Sequence, residues 1–133
     1  MASDIKSSIV LIQSRLSSSR LPGKALLPIK GYPMVVLAAL RAANTGKNVF
    51  VVTSNDESDD DLCETLDRYG IPYHRGSLNN VLERFYTFLL GQDDEILVFR
   101  LTADNVLPDG KLLDEMEREF ILSDVEILNC VPE

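Results

Sequence analysis

Ser8-Ile9-Val10-Leu11-Ile12 is a β-branched apolar run without polar alternation, and it opens directly onto the polar segment Gln13-Ser14-Arg15-Leu16-Ser17-Ser18-Ser19-Arg20-Leu21-Pro22-Gly23-Lys24. An apolar run of this length reads as a strand buried on both faces, the kind found inside parallel sheets. Asn48-Val49-Phe50-Val51-Val52-Thr53 repeats the pattern as a second buried strand. Residues 72–75 form a short third strand, and 95–101 (Glu-Ile-Leu-Val-Phe-Arg-Leu) a fourth. The segments between them carry helical spacing. Pro33 opens a helix running to about Ala43, stopped near Gly46. Ser58 with Asp61 resembles a capping box for a helix whose apolar face is Leu62, Leu66 and Tyr69, ended by Gly70 and Pro72. Val81, Leu82, Phe85, Phe88 and Leu89 form a stripe closed by Gly91, and a last helix over 110–120 carries Leu112, Leu113, Met116 and Phe120. Residues 25–29 read as a short extended piece ended by the Lys30-Gly31 turn, and 125–128 as the start of another.

Strand followed by helix, four times over, predicts an α/β fold of three layers: a mostly parallel sheet with helices on both faces. At 133 residues the chain suits a single domain. Ligands of open parallel sheets lie outside the carboxyl ends of the strands. The site is therefore expected within residues 13–24, 53–58, 76–80 and 102–109.

Composition narrows the partners. Hydrophobic residues make up 45% of the chain, too many for a disordered segment. The longest uncharged stretch, 31–40, is too short to cross a bilayer, which takes about 20 apolar residues. The first residues lack the pattern of a secretion signal, and Cys63 and Cys130 form no C-x-x-C pair, so a reducing, cytoplasmic setting and no membrane partner are expected. Net charge is −8, but residues 1–50 hold seven bases and one acid, whereas 51–133 hold six bases and twenty acids. A small phosphorylated ligand suits the basic third. Long nucleic acid does not, because it would meet the acidic remainder.

Arg15, Arg20 and Lys24 place three cations just past a buried strand, with serines and backbone amides between them. Arginine offers a planar fork for phosphate oxygens and lysine a compact charge. Pro22-Gly23 supplies a tight bend that turns Lys24 back. The glycine spacing of the G-x-x-x-x-G-K-[ST] phosphate loop is absent. From these residues alone, an anion-binding loop and a solvated basic turn both stand. Asp104 reads equally as a turn residue, Asp59-Asp60-Asp61 as charge at a helix start, His74 as structural, and Cys63 as core.

The segment from Gln13 to Lys24, with Leu26-Leu27-Pro28-Ile29 and Gly31-Tyr32-Pro33-Met34, resembles the opening of bacterial cytidylyltransferases of the spore-coat polysaccharide type, related to the CMP-sugar and acylneuraminate cytidylyltransferases. Val52-Thr53-Ser54 with Asp59-Asp60, Arg75-Gly76-Ser77 with Asn80-Val81-Leu82-Glu83-Arg84, and Arg100-Leu101-Thr102-Ala103-Asp104 follow in the same order. Ser17 and Ala103-Asp104-Asn105-Val106 depart from the usual pattern, which has Gly and Gly-Asp-Cys-Pro there. The resemblance implies a nucleotide-diphospho-sugar transferase (Rossmann-like) fold, of which residues 1–133 are the N-terminal part of a longer domain. It implies that a sugar hydroxyl, on an acidic sugar, attacks the α-phosphate of CTP and releases pyrophosphate, for surface polysaccharide synthesis.

By the same resemblance, Arg15, Lys24 and Asp104 are catalytic, and Asp104 binds Mg²⁺. Gln13, Ser14, Arg15, Leu16, Ser18, Arg20, Lys24, Thr53, Gly76, Ser77, Asn80, Arg84 and Thr102 are the nucleotide-binding set, with Gly76, Ser77, Asn80 and Arg84 near base and ribose. A homodimer is one implied assembly, although the region that makes dimer contacts in relatives is absent. Two other functions fit the same residues: a nucleotide-binding or interaction module without turnover, and a metal-dependent glycosyltransferase of similar fold.

Overall fold

The computed structural model describes residues 7–17, 22–92, 95–123 and 128. Four strands, β1 (Ser7–Gln13), β4 (Asn48–Ser54), β5 (Tyr73–Gly76) and β6 (Ile96–Thr102), form one parallel sheet in the order β5-β4-β1-β6. Between β1 and β4 lie a small antiparallel ladder, β2 (Pro28–Ile29) with β3 (Tyr32–Pro33), and the helix α1 (Met34–Ala42). Helices α2 (Asp60–Arg68) and α3 (Val81–Leu89) flank β5, and α4 (Gly110–Ser123) follows β6.

Strand alternation builds the two sides. Val10 and Ile12 of β1, with Val49 and Val51 of β4 and Phe99 of β6, pack against Val35, Val36 and Ala39 of α1, Leu62 and Leu66 of α2, and Leu113 of α4. Ile9 and Leu11 point the other way, where Val52 and Phe85 of α3 complete a smaller core. The layers are thus α1, α2 and α4 on one face and α3 on the other. The chain adds β4 and then β5 to one side of β1, then crosses back to lay β6 on the other side. Right-handed crossovers put α3 on the opposite face when that direction reverses. The reversal leaves a switch point between β1 and β6, where sheets of this kind hold ligands.

Lys47 anchors α4. Its side chain is 7% exposed, its Nζ lies 3.1 Å from Asp114 and 3.5 Å from Glu117, and it sits 5.1 Å above the Phe99 ring.

Some expectations need correction. Ser58 and Asp61 form no capping box: the Asp56 carboxylate accepts from the Ser58 amide and starts a 3₁₀ turn, Glu57–Asp59, that runs into α2. An aspartate before the turn reaches the free amides sooner than a serine within it. Tyr69 is exposed and lies beside the Tyr32 ring instead of joining the core. Leu82 is 79% exposed, because α3 covers the sheet with one narrow face only. Residues 24–26 coil into a 3₁₀ turn before the short strand β2. The extended run at 125–128 lies outside the described residues except for Leu128. No helix among the described residues is long and apolar enough to cross a membrane.

Candidate functional site

The basic segment begins where β1 ends. The Ser14 amide donates to Val52 O at 3.2 Å, so Ser14 extends the ladder by one residue before the chain turns away. Leu16 N then donates to Asp59 Oδ1 at 2.7 Å, and the Ser54 hydroxyl donates to the other oxygen of the same carboxylate. Asp59 is fully buried, so it ties the turn after β1 to the end of β4 from inside the protein. The Gly23 amide donates to Leu16 O at 2.8 Å and draws the two ends of the segment together. Gly23 has φ 79°, a left-handed conformation that glycine adopts without a Cβ penalty. It caps the 3₁₀ turn Lys24–Leu26, from which the Lys24 side chain extends.

Lys24 Nζ lies 3.7 Å from Asp104 Oδ2, the two side chains being 42% and 56% exposed. Asp104 follows β6, whose ladder continues past its end through Ala103 N to Gln13 O at 3.1 Å. The Thr102 hydroxyl, and then Lys24, hold the Asp104 carboxyl below the usual carboxylate range. Lys24 and Asp104 therefore meet at the switch point between β1 and β6, accessible and oppositely charged. Gln13 Oε1 there accepts from Arg100 Nη2 at 3.0 Å, and the Arg100 guanidinium lies 5.0 Å from the Phe85 ring centre.

On the other side of β1, Arg15 reaches across β4. Its Nη1 donates to Leu78 O at 2.9 Å and its Nη2 to Ser17 Oγ at 3.2 Å. Ser77 Oγ accepts from the Asn80 amide at 3.1 Å, and Asn80 Oδ1 accepts from the Glu83 amide at 3.0 Å. Ser77 and Asn80, two of the four residues expected near base and ribose, thus each give an acceptor to the start of α3. Arg84 is completely buried, with Nε on Ser77 O at 2.9 Å and Nη2 on Leu78 O at 3.0 Å. Thr53 is also completely buried and Ser14 nearly so. A shallow, open depression of about 460 Å³ lies at the carboxyl end of β5, bordered by Asn55, His74, Gly76, Ser77 and Leu78. Ser18 and Arg20 fall outside the described residues.

The structure therefore brings Gln13, Arg15, Lys24, Thr102 and Asp104 to the carboxyl end of the sheet, with Lys24 and Asp104 together between β1 and β6 and the Arg15 guanidinium turned toward the loop after β5. Asp59 is the residue that sequence reading misjudged. Hidden in a run of three acids, it is nevertheless three residues before Leu62 and seven before Leu66, the inward positions of α2. That spacing was the available signal. Arg75 was also overlooked: its guanidinium donates to Ser54 O, Asp56 O and Asp60 Oδ1, each at 2.8 Å, and fixes the loop after β4. His74 stays structural, bonded to Thr87 and edge-on to Phe88, with burial pushing its pKa down.

Residues 9–121 match the family described as cytidylyltransferase. The chain belongs to the cytidylyltransferase family. Among relatives, the spore coat polysaccharide biosynthesis protein SpsF of Bacillus subtilis is 32% identical over 114 residues, which is 81% of this chain and 47% of that protein. A 3-deoxy-manno-octulosonate cytidylyltransferase of Methylibium petroleiphilum is 36% identical over 115 residues, covering 82% of this chain and 42% of its own length. The structure of a cytidylyltransferase from Leptospira borgpetersenii superposes with a TM-score of 0.77 at 31% identity, over 87% of this chain and 49% of that one. This family member thus spans about half the length of the curated relatives it matches.

A metal is testable against the donors present. Among the described residues, no three His, Cys, Asp or Glu side chains gather as a closed cage. Asp104 is instead a single, accessible, readily ionised carboxylate beside a cation suited to phosphate. That donor set fits Mg²⁺, which takes one or two carboxylates together with substrate phosphates and water.

Proposed function

We propose that this chain carries the nucleotide-binding part of a Mg²⁺-dependent cytidylyltransferase that activates a sugar with CTP. The supporting observation is the meeting of Lys24 and Asp104 at the switch point, one charge for phosphate and one for its metal. In the proposed reaction a sugar hydroxyl forms a new bond to the α-phosphorus of CTP. The bond from that phosphorus to the bridging oxygen breaks, pyrophosphate leaves with the electron pair, and the hydroxyl proton passes to solvent.

Arg15, Arg20 and Lys24 hold the triphosphate and offset the charge that builds on departing pyrophosphate. Asp104, supported by Thr102, holds Mg²⁺, which when bound neutralises phosphate charge. Gln13, Ser14 and Leu16 belong to the phosphate side, and Gly76 and Ser77 border the depression beyond β5 that is assigned to base and ribose. Thr53 and Arg84 support this surface from below.

A second reading is a nucleotide-binding module without turnover, favoured by the lack, among the described residues, of any cluster of three His, Cys, Asp or Glu side chains that would hold a metal unaided. Calorimetry with CTP and Mg²⁺, paired with pyrophosphate release across a panel of acidic sugars, separates the two. Binding with release supports the enzyme, and binding alone supports the module. No binding, or equal rates for wild type and Lys24→Ala, overturns the roles assigned here.

A further inference from the structure

We propose that Arg84 is a positioning residue, acting through the Leu78 carbonyl to aim the Arg15 guanidinium at the phosphate site. The proposal rests on the reading of Arg15 as a triphosphate ligand, but its geometry is independent of that reading. Arg84 is completely buried and presents no atom to a ligand. Its planar fork grips two consecutive carbonyls, Ser77 O at 2.9 Å and Leu78 O at 3.0 Å. The Leu78 oxygen also accepts from Arg15 Nη1 at 2.9 Å, across 63 residues of sequence. One carbonyl thus joins a buried guanidinium to a half-buried one.

Three further observations support this connection. A Cβ built on Gly76 would lie 2.8 Å from Arg84 Cγ and 3.0 Å from Arg84 Cα, so glycine at the end of β5 is what lets α3 approach closely enough for the grip. Burial, and then the neighbouring Arg15 charge, push the Arg84 pKa down, while Asp59 opposes the shift. Two like charges are therefore held together with a buried carboxylate offsetting them. Finally, a buried guanidinium is costly unless paired, and an apolar side chain of similar length would fill the same space without that cost. What the apolar side chain lacks is the pair of donors that holds Ser77 O and Leu78 O.

The test is a double-mutant cycle on the full 133-residue chain: wild type, Arg15→Ala, Arg84→Lys and Arg15→Ala/Arg84→Lys, each titrated with CTP and Mg²⁺. Lysine keeps the charge but loses the two-pronged grip. Arg84→Lys is expected to weaken CTP binding about tenfold or more, as a small misplacement of a binding group does. In the Arg15→Ala background it is expected to change affinity less than about twofold. An equal loss in both backgrounds overturns the proposal, since a general structural defect would act with or without Arg15.

A second readout does not need CTP. In wild type the Arg15 guanidinium Nη–H signals are expected to be sharp and slow to exchange with solvent, since Nη1 is held by Leu78 O, and in Arg84→Lys and Arg84→Met broadened and fast. Unchanged exchange in variants whose melting shows them folded overturns the proposal. If wild type binds no CTP, the phosphate-site reading fails, and the Arg84–Arg15 connection is decided by this signal alone.

Discussion

Lys24 and Asp104 stand 3.7 Å apart although they follow different strands, because β1 and β6 are parallel neighbours in the sheet and both segments leave it at the same carboxyl end. Each side chain is the other's partner until a ligand enters. Both are substantially exposed, so the pair adds little to folding, about 0–1 kcal/mol at most. Its importance lies in what competes for it.

Lys24→Ala should weaken CTP binding, with or without Mg²⁺, by roughly ten- to a hundredfold, the worth of one charge-assisted hydrogen bond. Asp104→Asn should behave differently: it frees Lys24, so Mg²⁺-free CTP binds at least as well as to wild type, while the gain from adding Mg²⁺ disappears. Titration calorimetry in both conditions reads this. A parallel loss in the two variants would contradict the assignment of phosphate to one and metal to the other.

Asp59 joins Leu16 N and the Ser54 hydroxyl from a position with no solvent exposure. Replacing it with Ala strands two buried donors, and the expected cost is about 3 kcal/mol in urea unfolding. Asp59→Asn, which keeps one acceptor oxygen, should lose about half as much. Asp61→Ala, an exposed acid at the same helix start, should leave the unfolding midpoint in place. Equal midpoints for Asp59→Ala and Asp61→Ala would remove the case for a buried strut.

Gly76→Ala places a methyl group against the backbone and Cγ of Arg84 at 3.0 and 2.8 Å. Helix α3 must retreat, at an expected cost of about 1–3 kcal/mol. Thermal melting measures this, and a melting temperature equal to wild type would show that α3 relaxes freely.

His74 is the only histidine, and burial lowers its pKa. The fold therefore favours the neutral ring. Its stabilising contribution is complete above the ordinary histidine pKa and declines as acidification approaches the folded value. The melting temperature should fall as the pH drops below about 6.5, the ordinary histidine value, and His74→Gln should flatten that slope. Asp56 and Asp104, whose carboxyls are held low chiefly by hydroxyl hydrogen bonds from Ser58 and Thr102, titrate at lower pH and shape only the more acidic limb. An unaltered slope in the variant would assign the effect elsewhere.

Much of this organisation is legible in the amino-acid order because it is local. Apolar runs such as Ile9 to Ile12 and Val49 to Val52 specify two-sided burial by themselves, and alternation with helices then dictates the parallel sheet. The cations at 15 and 24 could be read for the same reason: charge density beyond a strand end is a short-range property. What sequence spacing conceals is which polar groups turn inward. Asp59 and Arg84 look like surface charge beside their neighbours, and only the packing of α2 and α3 reveals that both are enclosed. Ser77 and Asn80, read as ligand contacts, each also lend one oxygen to the start of α3, a local partnership that composition does not specify.

The Leu16 amide, committed to Asp59, has a consequence for how this surface can diversify. With that N–H committed, a change at Asp59 would alter both how the turn is anchored and what its main chain offers as a donor, so the two properties are inherited together.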